Sequence, residues 1–235
     1  MQVRAKRRLL RTALAVMLAP FVFLAGWALW AQVAWLSYGH ATLAERPDTL
    51  LAPYLPAYEV AERHERIVAA SAAAAFAAAQ SFRLEDSRVV HAVFRAREVI
   101  LGAQATTGVE PGPFIAVART IGWGVLDSVP GRELVFGAVT QPWQSDVRFR
   151  ALPPECFAAF DSAGYAKIVW TIAVDSLAPG RTRVRTETRV ATTDPASRAL
   201  FRRYWSVFSP GIVLIRHELL RLIRDEAERR TAREG

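Results

Sequence analysis

Residues 13–36 form an unbroken apolar run of about two dozen residues, in which no side chain is charged and Gln32 is the one strongly polar residue. As an α-helix rising about 1.5 Å per residue, this run is long enough to cross a hydrocarbon core about 30 Å thick. Trp27 and Trp30 lie toward its far end, where amphipathic rings favour the membrane interface. The sequence therefore predicts a transmembrane helix over residues 13–37.

The flank that precedes this run, residues 1–12, is basic and has no acidic side chain. Its cations are Arg4, Lys6, Arg7, Arg8 and Arg11. By the positive-inside rule the flank stays in the cytoplasm and the rest of the chain lies on the other side of the membrane. The Ala-rich, Arg-rich composition, with lysine only at Lys6 and Lys167, is typical of a bacterium of high GC content. We therefore expect a single-pass protein of the bacterial inner membrane with a periplasmic or extracellular domain.

Two other interpretations of the apolar run are weaker. A cleaved signal peptide is compatible with the small residues at Gly39 and Ala41, but its apolar region is usually about 7 to 15 residues long. A buried helix of a soluble core rarely lacks a polar face over six turns. Length and composition thus favour an uncleaved anchor.

The overall charge invites a nucleic-acid interpretation that its distribution does not support. The net charge is +8, but five of the excess cations belong to the flank, which leaves about +3 over the other residues. We therefore expect no nucleic-acid partner for an exported domain. The single cysteine, Cys156, excludes an intramolecular disulfide and any multi-cysteine metal site.

A proline-containing stretch, residues 38–56, separates the apolar run from the first strand. Because proline disrupts helices, this stretch cannot be helical throughout, and we predict a stalk that holds the domain above the bilayer. Its prolines are Pro47, Pro53 and Pro56. One domain is then predicted over residues 57–230, with a short tail at 231–235.

The domain is predicted to contain a strand, two helices, a run of antiparallel strands and a long terminal helix, in that order. Ser71 is a suitable N-cap for an alanine-rich helix, and Gly102 a suitable stop for the helix after it. Six strands are expected, including a short one at 147–152. Asp194-Pro195 predicts the start of the terminal helix, which Ser209-Pro210-Gly211 should kink or break.

The last two strands, joined at Pro179-Gly180, carry the clearest alternation in the chain. Threonine and valine form one face of the second strand, and this face is predicted to point inward. Either a cavity or an ordinary packed surface would suit those residues. The other face is charged and is expected to point outward into solvent. It consists of Arg181, Arg183, Arg185, Glu187 and Arg189.

This order of elements, together with TETRVATTDPASRALFRRYWSVFSPGIVLIR at 186–216, resembles the START and Bet v 1-like superfamily, also called SRPBCC and polyketide cyclase-like. In particular, it resembles membrane-anchored bacterial members of that superfamily. The resemblance implies an α+β helix-grip fold, in which a curved antiparallel sheet wraps around the long C-terminal helix. It also implies a pocket for a hydrophobic ligand such as a membrane lipid, with no universal catalytic residue and no cofactor.

Seven residues are our candidates for lining such a cavity: His64, His91, Trp170, Thr186, Thr188, Tyr204 and Trp205. Helical spacing predicts that Leu200, Tyr204, Trp205 and Phe208 are buried against the sheet, while Arg202 and Arg203 remain in solvent.

Two further classes of function stay open. A cyclase-like or hydrolase-like enzyme would need convergent acid and base groups, for which Glu133, Glu187 and His64 are the strand residues to consider. Their predicted faces disagree, so no catalytic residue is assigned. A structural domain with a filled core would act through its surface or its transmembrane helix. No metal site is predicted, because His217-Glu218 is followed by Arg221 where a zinc helix needs its second histidine.

Overall fold

A computed structural model describes residues 2–40, 48–84, 87–102 and 111–234, with side chains from Met17 to Arg233. The helices are α1 (Gln2–Ser37), α2 (Ala72–Ser81), α3 (Arg88–Leu101), α4 (Phe114–Thr120), α5 (Pro154–Ala159) and α6 (Pro195–Glu234). The strands are β1 (Val60–Val68), β2 (Gly124–Val129), β3 (Glu133–Thr140), β4 (Ala166–Ala178) and β5 (Arg181–Thr192). A short 3₁₀ helix at Thr49–Leu51 precedes β1.

The five strands form one curved antiparallel sheet in the order β1-β5-β4-β3-β2, and α6 crosses one of its faces. We call this the inner face. The α+β class with a long C-terminal helix is therefore confirmed. The sixth strand is wrong: Arg150 of the 147–152 segment makes only an isolated bridge to Val139. Prolines 153 and 154 follow at once, and α5 begins there instead of a strand.

Helices α2 and α6 cover the inner face and enclose most of the apolar core. Small alanines let α2 lie close to the sheet, and Phe76 fills the space between them. Ser71 accepts a hydrogen bond from the Ala74 amide as the predicted N-cap, and Gly102 ends α3 with a φ of +62°. For α3 the N-cap is Ser87, which accepts from the Val90 amide.

Helix α6 is longer and more regular than its sequence predicts. Asp194 caps its start by accepting from the Ala196 and Ser197 amides, but the helix then continues through Pro210 without a break. It reaches Glu234, so residues 231–234 are helical and do not form a tail. Gly211 has a packing role, because a Cβ there would lie 2.8 Å from Val93 Cγ1 of α3.

The end of α1 is docked on α6 by polar and aromatic contacts. Trp30 Nε1 donates to Ser209 Oγ at 3.0 Å, and Arg202 donates to the Trp35 carbonyl at 2.7 and 3.1 Å. The Arg202 guanidinium also lies 4.1 Å from the centre of the Trp35 ring. Arg202 was expected to remain in solvent; it is half-buried, because it also binds an otherwise unpaired carbonyl near the α1 C-terminus.

The opposite, outer face of the sheet is covered by residues 48–58, which we call the outer strap. Leu51 and Leu55 of the strap are fully or almost fully buried against Leu126 and Val135 of the sheet. The predicted stalk is therefore wrong for residues 48–56, because apolar side chains between the prolines bind the strap to the domain. Residues 41–47 of that stalk lie outside the described residues.

Burial by the outer strap also overturns the expected solvent face of β5. Arg185, Glu187 and Arg189 do point away from α6, as alternation predicts, but they are only 7%, 1% and 3% exposed. Because a buried charge is unfavourable unless it is paired, these side chains must have partners under the strap.

Candidate functional site

Four of the seven candidate residues come together on the inner face beneath α6. Antiparallel pairing puts His64 of β1 opposite Thr186 of β5, and Thr188 of β5 opposite Trp170 of β4. All four are on the face that carries the core residues Ile172 and Val184, as strand alternation requires.

The other three candidates lie elsewhere. His91 is on an exposed position of α3. Trp205 is buried as expected, but in a second cluster with Phe201, the sheet residue Val190 and Tyr38, which directly follows α1; Tyr204 packs partly buried against the same cluster. Leu200 was expected in the core and is 44% exposed, because Phe201 takes the sheet-facing position.

Aromatic side chains fill much of the space around Trp170. Its ring stacks on Phe136 of β3 with the centroids 4.4 Å apart and an 11° angle between planes. Phe114 of α4 and Trp123 contact it from other sides, at 5.6 and 5.8 Å. Trp170 is 2% exposed, so it is a core residue of the grip rather than the wall of an open pocket.

Sequence reasoning missed the charged residue of this site, Arg216. It projects from α6 over Trp170, with the guanidinium carbon 5.3 Å from the ring centre. No hydrogen bond or ion pair joins Arg216 to another described residue, and Glu62 of β1 is the carboxylate that acts on it electrostatically. Burial lowers the pKa of Arg216 to about 10, so the side chain keeps its charge at neutral pH.

Next to Arg216, a histidine pair joins α6 to the edge strand β1. The rings of His64 and His217 meet edge to face with centroids 4.7 Å apart, and His64 Nε2 lies 3.3 Å from Glu62 Oε2. Burial, together with the neighbouring His64 and Arg66 side chains, lowers the pKa of His217. Glu62 is 30% exposed and His217 is exposed, so the site reaches solvent along this edge.

Two surface hollows, each of about 410 Å³, lie away from this site. One lies between Gln141, Arg150 and Tyr165, and the other lies between Tyr54 of the outer strap and Lys167. None of the seven candidate residues lines either of them.

A buried network of arginine and carboxyl side chains lies on the outer face, and Arg185 is its centre. Its guanidinium donates to Asp48 of the outer strap, to Glu133 of β3 at 3.1 Å and to Asp175 of β4 at 2.9 Å. These contacts bring together the strap and strands β3, β4 and β5. The donor fork of arginine suits such multiple pairing.

Glu187 forms the second half of this network. Its carboxylate accepts from Arg189 Nε at 2.9 Å, from Arg63 Nη1 at 3.1 Å and from the Asp48 amide at 2.9 Å. Arg189 also donates to the Asp48 carbonyl at 2.8 Å. Main-chain and side-chain groups of Asp48 thus tie the start of the outer strap to the sheet.

Asp48 and Glu133 form a carboxyl pair with strongly separated acidities. Burial and the hydrogen bond to Asp48 raise the pKa of Glu133 to about 8. Against the effect of burial, hydrogen bonds with Glu133 and Arg185 lower the pKa of Asp48. Such pairs occur in acid–base catalysis, but this one is 5% and 2% exposed and neither hollow reaches it. His64 lies on the opposite face, so the enzyme candidates do not converge.

The protonated Glu133 predicts a pH-dependent stability. The folded protein holds this proton between pH 4.5, the ordinary pKa of the side chain, and about 8, whereas the unfolded chain has released it. The unfolding free energy should therefore fall as pH rises through that window. In Glu133→Gln, which keeps the shape of the protonated acid, this part of the decline should be absent.

Thermal or denaturant unfolding of the full chain in detergent, followed by circular dichroism from pH 4.5 to 9, measures this difference. The matched control is Asp146→Asn, since the Asp146 side chain is 76% exposed. Equal slopes for wild type and Glu133→Gln would contradict the assignment.

Comparison with known proteins adds little to this description. No family model and no curated protein matches the chain. A crystal structure of Ara h 8.0201, a Bet v 1-family allergen, is similar over 68% of this chain and 97% of its own, with 11% identity and a TM-score of 0.19. So weak a similarity carries no argument about ligand or activity, and the fold is assigned from its own strands and helices.

Proposed function

We propose that this protein is a membrane-tethered binding module, which holds a hydrophobic or amphipathic ligand, with membrane lipid as its source, between α6 and the inner face of the sheet. The observation that carries the proposal is the polar set of Arg216, His64, Thr186 and Thr188 within an otherwise aromatic and aliphatic interior. A domain that needed only a stable core would gain nothing from an unpaired guanidinium there. Polar groups inside an apolar site are what orient an amphipathic ligand.

The membrane half of the proposal is supported by α1. Residues Met17–Ser37 are long and apolar enough to cross a membrane, and only 6% of the most apolar window of this segment is buried by the rest of the chain. With the basic flank in the cytoplasm, the domain would lie on the periplasmic or outer side of a bacterial inner membrane. The contacts of α1 with Ser209 and Arg202 would hold the domain close to its lipid supply.

The proposal predicts that an acyl probe from the bilayer reaches the interior. The full chain in bilayer nanodiscs is exposed to a fatty acid carrying a photoactivatable diazirine, and labelled peptides are identified by mass spectrometry. We expect label on β4 and β5 around Trp170 and Thr188 in addition to label on α1. Competition by the same fatty acid without the diazirine should remove the interior label and leave that on α1.

A filled-core domain is the second candidate, and the aromatic packing around Trp170 favours it. Such a domain would act on another protein through its surface or through α1. In that case the probe should label α1 alone, and the binding module would be refuted.

A further inference from the structure

Arg216 occupies a position in α6 that the helix otherwise reserves for apolar side chains. It follows Ile212 by one turn and precedes Leu220 by one turn, and Leu220 and Ile223 on the same stripe are almost fully buried against the sheet and α2. Arg216 itself is half-buried, and partial desolvation of a guanidinium without a paired anion is unfavourable. A charge held over the Trp170 ring therefore favours an anionic acceptor.

The described residues do not supply that acceptor. The contact that Arg216 does make is with the face of Trp170, and Glu62 lies beyond ion-pair distance. A second polar group nearby also lacks a partner: Thr186 is fully buried and its Oγ1 makes no hydrogen bond within the described chain. Its strand partner His64 contacts His217, the residue next to Arg216, so the unpaired hydroxyl and the unpaired guanidinium belong to the same region.

We infer that Arg216 is the counter-charge for the anionic head group of the ligand, and that Thr186 donates a hydrogen bond to the same group. The inference rests on the proposed function and names the ligand class: an acyl chain ending in a carboxylate or a phosphate. Guanidinium is suited to both, because its paired donors match the oxygens of either anion. The first part of the chain would pack against the aromatic cluster of Trp170, Phe114 and Trp123, whose packed rings must move apart to admit it.

Strand β1 is an edge strand of the sheet, and its inner-face residues Glu62, His64 and Arg66 face α6. Arg66 and Arg216 are the cations of this edge, and Glu62 and Glu218 are its carboxylates. Because Glu62 is partly exposed and His217 is exposed, we expect the anion to enter along this edge, beside the two arginines.

The test uses diazirine probes of equal chain length on the full protein in nanodiscs of zwitterionic lipid. One probe ends in a carboxylate, one in a phosphate monoester and one in a methyl ester. Interior label at saturating light is measured against label on α1, which serves as an internal standard. We expect an anionic probe to label the interior about tenfold more than the ester. A difference of about tenfold in binding is what the loss of one charge-assisted hydrogen bond typically causes. Whether the carboxylate or the phosphate probe labels better identifies the source of the ligand.

Variants assign the effect to the residue. Arg216→Gln should reduce interior label by the anionic probe about tenfold and leave the ester unchanged, and Arg216→Lys should restore part of it. Arg203→Gln, at an exposed position of the same helix, is the matched control. Thr186→Val keeps the side-chain volume and should weaken the label less, which tests the site even if Arg216→Gln folds poorly.

The outcomes separate the two proposals. Equal interior label by acid and ester, or wild-type label in a folded Arg216→Gln, would overturn the role of Arg216 while the binding module stands. Absence of interior label from every probe in the wild type would overturn both.

Discussion

Replacing Arg185 by methionine should destabilise the domain by about 3 to 5 kcal/mol, which is a large part of the total stability of an ordinary domain. The substitution keeps an unbranched side chain under the outer strap but removes the shared cation of Asp48, Glu133 and Asp175. Asp48 is 5% exposed and would be left as a buried charge. We therefore expect a much lower melting temperature and early proteolysis within residues 48–58.

Arg183→Met is the matched control, two residues away on β5. The Arg183 side chain is 33% exposed and pairs at 3.4 Å with Glu65, which is 48% exposed. Solvent screens such a pair, so its loss should change the stability by about 1 kcal/mol or less. Equal effects of the two variants would show that the buried network does not hold the outer strap.

A rescue experiment distinguishes lost pairing from lost packing. Adding Asp48→Asn and Glu133→Gln to Arg185→Met removes the two most buried of the three carboxyl groups that pair with the arginine and leaves Asp175. Because the cost arises from unpaired buried charge, the triple variant should be more stable than Arg185→Met alone. A further loss of stability would indicate packing as the cause.

In β5 the sequence pattern predicts which side chains share a face of the sheet, but not which segment covers that face. Alternation along 181–192 correctly separates Val184, Thr186 and Thr188 from Arg185 and Glu187. Period-two patterns report which side chains share a face, but they do not report what covers that face. The cover here comes from residues 48–58, which are far from β5 in sequence, and charged residues were therefore assigned to solvent.

Two leucines of the outer strap indicate that it is packed, although its prolines exclude regular structure. Leu51 and Leu55 are spaced one turn apart between Pro47 and Pro56. Prolines exclude a long helix or an interior strand, but they do not exclude a compact segment that buries two leucines. The prolines correctly predict that this segment has no long helix or strand. They do not predict whether its side chains are packed, and the predicted stalk was wrong on that point.

The candidate site shows the same division. Strand register brings His64, Trp170, Thr186 and Thr188 together. Alternation predicts the inward face for Trp170, Thr186 and Thr188, whereas for His64 the sequence left both the cavity and the surface open. Arg216 could have been found from its spacing, since it interrupts the apolar stripe of α6 at one-turn intervals from Ile212 and Leu220. Trp205 was expected beside these residues, but α1 adds Ala34 to its surroundings, and no pattern in the sequence shows that α1 docks on α6.

Replacing Trp205 by alanine should be about as damaging as the loss of Arg185, but at the other end of the grip. Trp205 is 6% exposed and stacks near Phe201, with ring centroids 6.0 Å apart. The same cluster contains Val190 of the sheet and Ala34 of α1. Truncating a buried tryptophan costs about 3 to 5 kcal/mol, so most of the domain should be unfolded or degraded.

The location of Trp205 predicts a second effect that a general loss of core would not give. Because its cluster includes α1, partial truncation to Trp205→Leu should loosen the contact of α1 with α6 before the sheet unfolds. Cysteines introduced by Trp30→Cys and Ser209→Cys in a Cys156→Ser background, joined by a short bifunctional maleimide that spans the space of the lost indole ring, report on that contact. Cross-linking should be slower in Trp205→Leu than in the parent.

Arg203→Ala is the control for both measurements, since Arg203 is exposed on the same turn of α6. Arg202 is unsuitable as a control because it binds the Trp35 carbonyl. If Trp205→Ala melted like the wild type, α6 would not be held between the sheet and α1 at this point. The inner face beneath it would then not be a closed grip, and the proposal of a ligand held between α6 and the sheet would lose its support.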